Sequence, residues 1–516
     1  MTSSAPDSFN LAQHCLGRQA AERGAKTALI LCDGPSAFRS WTYGNLDLMV
    51  RKLAGGLIES GLKKGDRVMI RAENDIDFVL AFFATVAIGC VAQPASPLLT
   101  AQEALALAED SGVAAIFLGN PTQEERKRFS HLSVFDSVEA RRLAAECAPA
   151  DYAPTAPDDP AYLIFTSGST AEPKGVLHAH RVVIGRRPMH RDWLGLGEDD
   201  IVLHAGNINW TYTLGVGVLD PWACGATGSL YTGVRDPTVW LKLIEVTRTT
   251  IFAAVPGVYR QILKYGDPSA FDLSSLRHGV SAGEALSPDL LANWHDATGT
   301  WIYEALGMSE ISTYISSRPG EPIRPGSPGR PQNGRRIAIL PVDGGTRPLT
   351  PDSVGLLAVH RSDPGLMLGY LNRPAEQAAA FRGDWFIGGD LAKFDDDGWV
   401  WHQGRNDDIM NAFGYRVSPL EVEKVLAANP DVADVAVAER KVAEDVSVIA
   451  AFVVPRPERA LDEAAVLAYC ARYLAAYKCP RKAVFVREIA RTANGKVSRK
   501  TLPQLVCGGG FMTTPD

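Results

Sequence analysis

An α/β protein of at least two domains is predicted from three observations. The chain has 516 residues, more than one hydrophobic core normally organises. Helical and strand-like stretches alternate through roughly the first 150 residues, the pattern of sheets covered by helices. The last hundred or so residues before the C-terminus alternate in the same way on a smaller scale, enough for a compact α+β domain of about that size.

Taken in order, Trp41-Thr42-Tyr43-Gly44-Asn45-Leu46 opens an amphipathic helix that runs to Leu57. Gly65-Asp66-Arg67-Val68-Met69-Ile70 reads as a turn and a strand, and Val91 to Pro94 as another short strand. The most hydrophobic run, Phe78 to Ala92, is interrupted by Thr85 and Gly89. It falls short of the roughly 20 residues a membrane span needs, so a buried helix leading into a strand is expected. Ala148 to Pro160, rich in Ala, Pro and Asp, is an exposed connection. In the C-terminal part, Pro419 to Ala428 and Asp462 to Leu474 are helical, and Val432 to Ala438 and Ser447 to Pro455 strand-like. Cys507 to Asp516 reads as a flexible tail.

Bulk properties exclude several classes. Lys and Arg number 52 against 59 Asp and Glu, a net charge of −7, which gives no general reason to bind nucleic acid or an anionic membrane. The eight cysteines, at 15, 32, 90, 147, 224, 470, 479 and 507, contain no C-x-x-C pair and no metal spacing. They suit free thiols in a reducing cytoplasm. Met1 to Asp7 lacks the basic and apolar regions of a signal peptide.

The chemistry centres on Thr166-Ser167-Gly168-Ser169-Thr170-Ala171-Glu172-Pro173-Lys174-Gly175. It lies between the apolar runs Ala161 to Phe165 and Val176-Leu177, so it is read as a loop joining two buried strands. Glycines allow close backbone approach to an anion, the hydroxyls add donors, and Lys174 adds charge, which together make a polyphosphate cradle. A mobile Ser/Gly linker is the plain alternative, but a linker needs neither strand flanks nor a rigid Pro-Lys-Gly ending. The loop is not of the Walker type.

The pattern T-S-G-S-T-x-x-P-K-G resembles the signature loop of the acyl-activating adenylating enzymes, the AMP-forming acyl-CoA synthetases and their relatives, and the benzoate-type and medium-chain-type ligases above all. Ala171 stands where that family usually has Gly. The resemblance implies a large multi-layer N-terminal domain with doubly wound sheets over residues 1–404, a hinge at 405–407, a small mobile α+β domain over 408–505 and a tail at 506–516. It also implies that Thr166, Ser167, Gly168, Ser169, Thr170 and Lys174 hold the phosphates of ATP.

Further motifs follow in the family's order. Ser281-Ala282-Gly283-Glu284-Ala285 ends a predicted strand with a glycine that a flat ring can approach, and by resemblance lies along adenine. Tyr303 to Glu310 resembles Y-G-x-T-E. Glu310 matches the glutamate that binds Mg²⁺ together with Thr166, Ser309 the hydroxyl on the α-phosphate, and Leu306 stands in the place of a stacking tyrosine. Asp390, behind Gly388-Gly389, matches the acceptor for the ribose hydroxyls, and Asp395-Asp396-Asp397-Gly398 is read as a hairpin turn. Gly404 to Arg416 resembles the hinge region. There Arg405 matches a ribose and phosphate contact, Asp407 the hinge, and Gly414, Tyr415 and Arg416 the CoA-binding face; Asn411 replaces the lysine of many members. Arg491 to Arg499 resembles P-K-T-x-x-G-K-I-x-R, with Lys496 as the lysine essential for adenylation.

Asn207 to Gly215 places Trp210, Tyr212 and Gly215 where the family lines its acyl pocket. Two aromatic rings shorten a pocket and offer flat faces, which favours an aromatic, alicyclic or short-to-medium-chain acid. His178 and His180, two apart, would share a strand face, either as a metal pair or as histidines satisfied by backbone.

The resemblance implies an ATP-dependent carboxylate-CoA ligase using Mg²⁺ and CoA, cytoplasmic, monomeric or homodimeric, with no nucleic-acid or membrane partner. Two alternatives stand beside it. One is an adenylating enzyme that loads a separate carrier protein; the other is a nucleotide sensor without turnover.

Overall fold

The computed structural model describes residues 6–166, 173–234, 236–406, 410–412, 415–443, 446–457, 459, 461–474, 476–491, 497–499 and 502. The chain divides into two compact units, one of residues 1–337 and 359–386, the other of residues 338–358 and 387–516.

Two large sheets form the first unit. In one, the strands run Gly369–Tyr370, Lys174–Ala179, Pro160–Thr166, Val91–Ala95, Arg67–Arg71, Ala115–Leu118 and Ser133–Asp136. From Pro160–Thr166 onward they are parallel, and Lys174–Ala179 folds back antiparallel. The other sheet has nine strands, with a parallel centre from Ile302–Met308 through His278–Ala282, Ile251–Ala253, Ile201–His204 and Thr227–Tyr231 to Thr27–Gly34. Antiparallel strands close both of its ends.

The predicted apolar run is the helix Ile76–Ala87, every residue of which is buried. Asp75 starts it by accepting from the Ile76 amide at 2.7 Å, satisfying one of the donors a helix start leaves free. Gly89 turns the chain at φ +75° into Val91–Ala95. Tyr43–Glu59, capped by Thr42, lies beside it. Their side chains join Leu29, Leu31 and Leu230 of the nine-stranded sheet to Val68, Ile70 and Ala92 of the seven-stranded one in a single apolar core. Polar groups are thereby driven to the strand ends, where loops meet solvent. Among the described residues no helix is long and apolar enough to cross a membrane.

In the second unit, residues 390–394 pair antiparallel with Val400–Arg405 around a turn in which Asp395 accepts from the Trp399 amide at 2.8 Å and Gly398 takes φ +79°. Further on, Val432–Ala443 pairs antiparallel with Val446–Pro455, which pairs parallel with Lys482–Phe485. Helices Pro419–Ala427 and Glu463–Tyr473 bury Val422, Leu426, Val466 and Cys470 against Val435, Val437, Ile449 and Ala451. This is the expected small α+β arrangement.

Burial decides the acid sensitivity of the fold. Desolvation lowers the pKa of His14, His178, His180 and His278 to about 4 and of His204 to about 3. Between about pH 6.5 and 4 the unfolded chain therefore binds more protons than the folded one at five sites, and stability is lost as pH falls. Glu304 and His190 oppose this. Burial raises the pKa of Glu304 to about 8, so its contribution is lost as pH rises from the ordinary carboxylate range through 8. His190, held at about 9 against the penalty of burial by its bonds to Asp220 and Cys224, contributes stability that is lost as pH rises from about 6.5 through 9. Five groups outweigh two, and the melting temperature at pH 5 is expected to lie below that at pH 7 by on the order of 5–10 °C. A thermal melt at equal ionic strength checks this; an unchanged or higher value at pH 5 contradicts it.

Candidate active site

The strand pair flanking the phosphate loop sets the first part of the site. Thr166 ends Pro160–Thr166, Lys174 starts Lys174–Ala179, and the two are register partners. Thr166 Oγ1 donates to the Lys174 carbonyl at 3.5 Å. Ser167, Gly168, Ser169 and Thr170 lie outside the described residues.

On the far side of Lys174–Ala179, the short strand Gly369–Tyr370 pairs Tyr370 with Val176. Lys174 Nζ stands 5.5 Å from the centre of the Tyr370 ring, within range of a cation–π attraction. The Tyr370 hydroxyl donates to Glu310 Oε1 at 2.7 Å. A lysine, a phenol and a carboxylate are thus brought together from three distant segments. The Met367 amide donates to the Glu310 carbonyl at 2.8 Å, fixing the backbone as well. Glu310 and Thr166 offer the hard oxygen donors that Mg²⁺ takes, so the residues fit that metal.

His178 supports the same corner from below. Its Nε2 lies 2.8 Å from the Ser309 carbonyl, an acceptor, so Nε2 carries the proton. The ring stacks on Tyr162 with centroids 4.7 Å apart. His180 lies past the strand's end, and its Nδ1 accepts from the Leu11 amide at 3.0 Å. Both histidines are thus spent on backbone groups, and no metal-holding group of three or more His, Cys, Asp or Glu side chains occurs among the described residues.

The predicted adenine turn and acyl segment meet at one point. Gly283 follows the strand His278–Ala282 with φ +97°, a conformation side chains rarely adopt, and a Cβ there would stand 3.3 Å from the Trp210 ring. Trp210 meets Tyr212 edge to face, with centroids 5.7 Å apart. Tyr212 is buried, and its hydroxyl donates to the Val280 carbonyl at 3.3 Å. Glu284 pairs with Arg260 at 3.8 Å, and Ala285 is exposed. Glu304 accepts from the Leu286 amide at 3.1 Å, and its burial keeps it protonated near neutrality. Leu306 is half-buried near the end of Ile302–Met308, opposite Ile315. Gly215 packs under Arg186; a Cβ there would fall 2.0 Å from Nη2.

In the second unit, Asp390 and Arg405 are register partners of the hairpin. Asp390 Oδ1 lies 3.1 Å from His402 Nε2 and 3.9 Å from Arg405 Nη1. Gly389 takes φ +88°, and a Cβ would stand 2.8 Å from Arg405 Nη2, so glycine lets the guanidinium cross the strand. A buried carboxylate beside a half-exposed guanidinium suits a group bearing both hydroxyls and a phosphate. Tyr415 and Arg416 lie in the strand Tyr415–Val417, with backbones opposite Ala412 and Asn411. Asp407, Gly414 and Lys496 lie outside the described residues.

Three of these residues escaped sequence reasoning. Tyr370 comes from a two-residue strand with no pattern of its own. Glu304 and His402 are single polar residues in apolar or aromatic runs; each became visible only once its partner was placed.

Residues 16–371 match the AMP-binding enzyme family, and residues 421–496 match the AMP-binding enzyme C-terminal domain. A benzoate–CoA ligase of Thauera aromatica is 31% identical over 512 residues, 96% of this chain and 95% of its own. The uncharacterized acyl–CoA ligase YtcI of Bacillus subtilis (strain 168) is also 31% identical over 512 residues, covering 96% of each chain. The crystal structure of the anthranilate CoA ligase AuaEII in complex with anthranoyl-AMP is similar with a TM-score of 0.87 at 29% identity, over 98% of both chains.

Proposed function

Because this chain belongs to the AMP-binding enzyme family and is an AMP-forming carboxylate-CoA ligase, we propose that its acid is a compact aromatic carboxylate of the benzoate class. The observation that carries this reading is the packing of Trp210 on Gly283. An indole set against the turn offers a flat aromatic wall and bulk, which suits a flat ring better than a long alkyl chain. The aromatic acids named in the similar benzoate and anthranilate ligases support it.

Carboxylate and triphosphate repel, and a free oxide is a poor leaving group, so the acid is first joined to AMP. A carboxylate oxygen attacks the α-phosphorus of ATP and pyrophosphate leaves. The thiol of CoA then attacks the acyl carbon and AMP leaves. In this proposal Thr166, Ser167, Gly168, Ser169, Thr170 and Lys174 hold the phosphates. Gly283, Glu284, Ala285 and Leu306 border the base, and Ser309 meets the α-phosphate. Asp390 and Arg405 take the ribose end. Glu310 and Thr166 would hold Mg²⁺, which when bound neutralises phosphate charge. Lys496 stabilises the charge that grows as pyrophosphate departs. Asp407 serves as the hinge, and Gly414, Tyr415 and Arg416 border CoA. A cytoplasmic location and a monomeric or homodimeric state belong to the same proposal; all seven described cysteines are free thiols.

The test is kcat/KM for a panel of benzoates, alicyclic acids and linear acids, beside Trp210→Ala. Benzoate-sized acids are expected to lead in the wild type. Trp210→Ala is expected to shift preference toward longer acids by about 10–100-fold, as one pocket wall is worth a few kcal/mol of discrimination. A wild-type preference for long linear acids contradicts the proposal.

A further inference from the structure

Away from the candidate site, two short helices bring a second group of reactive side chains together. Arg187–Asp192 carries His190, and Asp220–Cys224 carries both Asp220 and Cys224. Cys224 Sγ lies 3.3 Å from His190 Nδ1, and His190 Nε2 lies 2.9 Å from Asp220 Oδ1. Arg186 fixes Asp220 from the other side through Nε at 2.8 Å and Nη2 at 2.6 Å. Thiol, imidazole and carboxylate follow in the order of a nucleophile, its base and the group that orients the base. Arg186, His190 and Asp220 are buried, whereas Cys224 is partly exposed. None of these side chains has a direct part in the ligase chemistry proposed above.

The carboxylate of Asp220 accepts, so His190 Nε2 carries a proton. Nδ1 then either accepts from the thiol or, as part of an imidazolium, donates to a thiolate. Moving the proton from sulfur to nitrogen leaves the cluster's total charge unchanged and sets a cation against Asp220. Burial opposes charge on His190, but its bonds to Asp220 and Cys224 and the Asp220 charge outweigh it, raising its pKa to about 9.

The groups packed around the pair are chiefly cationic or uncharged. Cys15, Tyr43 and Tyr162 are held neutral by burial, and His14 is lowered to about 4. The nearby cations are Arg18, Arg23, Arg186 and Arg187, of which Arg23 is itself paired with Glu22 and Glu198, each at 3.4 Å. Arg18 donates to the carbonyl of Ala223 at 2.8 Å. With His14 and Arg187 it also lines a neighbouring groove of about 790 Å³ that holds Arg51 and one acid, Asp47, and whose lining does not include Cys224.

We propose that Cys224 is a modification site, a thiolate paired with His190 that exchanges with small anionic disulfides. The thiolate attacks one sulfur of the disulfide, a Cys224–sulfur bond forms, the original S–S bond breaks, and the second half leaves as a thiolate. Cys224 is oxidised and the departing half reduced, so no other oxidant enters.

The experiment exposes the native full-length protein to glutathione disulfide from pH 6 to 8.5 and follows each cysteine by peptide mass mapping. Cys147 and Cys479, the other partly exposed cysteines among the described residues, serve as references. At pH 6.5 Cys224 is expected to react about tenfold faster than either, at a rate nearly constant with pH, while the reference rates climb up to about tenfold per unit. His190→Asn is expected to lower Cys224 to the reference rates and restore their slope. Should that variant fail to fold, the wild-type profile decides alone. A Cys224 rate equal to the references, or one climbing with theirs, overturns the proposal. Equal reaction with uncharged hydroxyethyl disulfide overturns its anionic selectivity.

Discussion

Glu310→Gln is expected to slow acid-dependent pyrophosphate release by about 10²–10³-fold, the range seen when a group that stabilises transition-state charge is removed. The amide keeps an oxygen for the Tyr370 hydroxyl, now 2.7 Å from Glu310 Oε1, so the local packing survives while the charge is lost. The melting temperature should therefore stay within about 2 °C of the wild type. Tyr370→Phe removes one hydrogen bond that orients the carboxylate, and should cost about tenfold in rate. A steady-state pyrophosphate assay at saturating acid, with Mg²⁺ varied, measures both. A Glu310→Gln enzyme at the wild-type rate would remove Glu310 from the proposed chemistry.

Asp220→Ala is expected to destabilise the fold by about 3–5 kcal/mol, the usual cost of leaving one partner of a buried ion pair alone. The Arg186 and Asp220 side chains are only 2% and 1% exposed and meet at 2.6 Å. Arg186 would keep its bond to the Ser312 hydroxyl at 2.5 Å, too little to replace a carboxylate. Its guanidinium lies against Gly215 in the helical segment after Trp210, so the acyl pocket should loosen as well. The double change Arg186→Leu with Asp220→Leu removes both charges and should recover much of the loss. Urea unfolding gives the numbers, and a loss under about 1 kcal/mol for Asp220→Ala contradicts the account.

What could be seen in advance follows from how local each signal is. The helix over Tyr43–Glu59, the buried helix over Phe78 to Ala87 and the turn at Gly398 are all legible, because amphipathic periodicity, an apolar run and an Asp-Gly pair act within a few residues. The phosphate loop was placed between its two strands for the same reason. Tyr370 could not be placed: it reaches Glu310 across 60 residues of chain, and nothing in Gly369-Tyr370 marks a strand. His178 stays open in the sequence between a metal pair and backbone bonding, because its partner, the Ser309 carbonyl, is 131 residues away and only the sheet brings them together. The strands Thr27–Gly34 and Ala37–Thr42, which close one end of the nine-stranded sheet, went unread for a related reason. Their short apolar and mixed runs gain strand identity from neighbours that are distant in sequence. Cys224, His190 and Asp220 are likewise ordinary residues until two helices set them side by side.

The most direct test of the central claim separates the two half-reactions. With ATP, Mg²⁺ and a benzoate, the wild type should release one pyrophosphate and one AMP for each acyl-CoA formed, and turnover should be sustained only with CoA. Lys496→Ala should lose the first step by on the order of 10²–10³-fold while still converting a supplied acyl-adenylate and CoA into thioester. Release of ADP and phosphate, or a Lys496→Ala enzyme that forms adenylate at the wild-type rate, would contradict it.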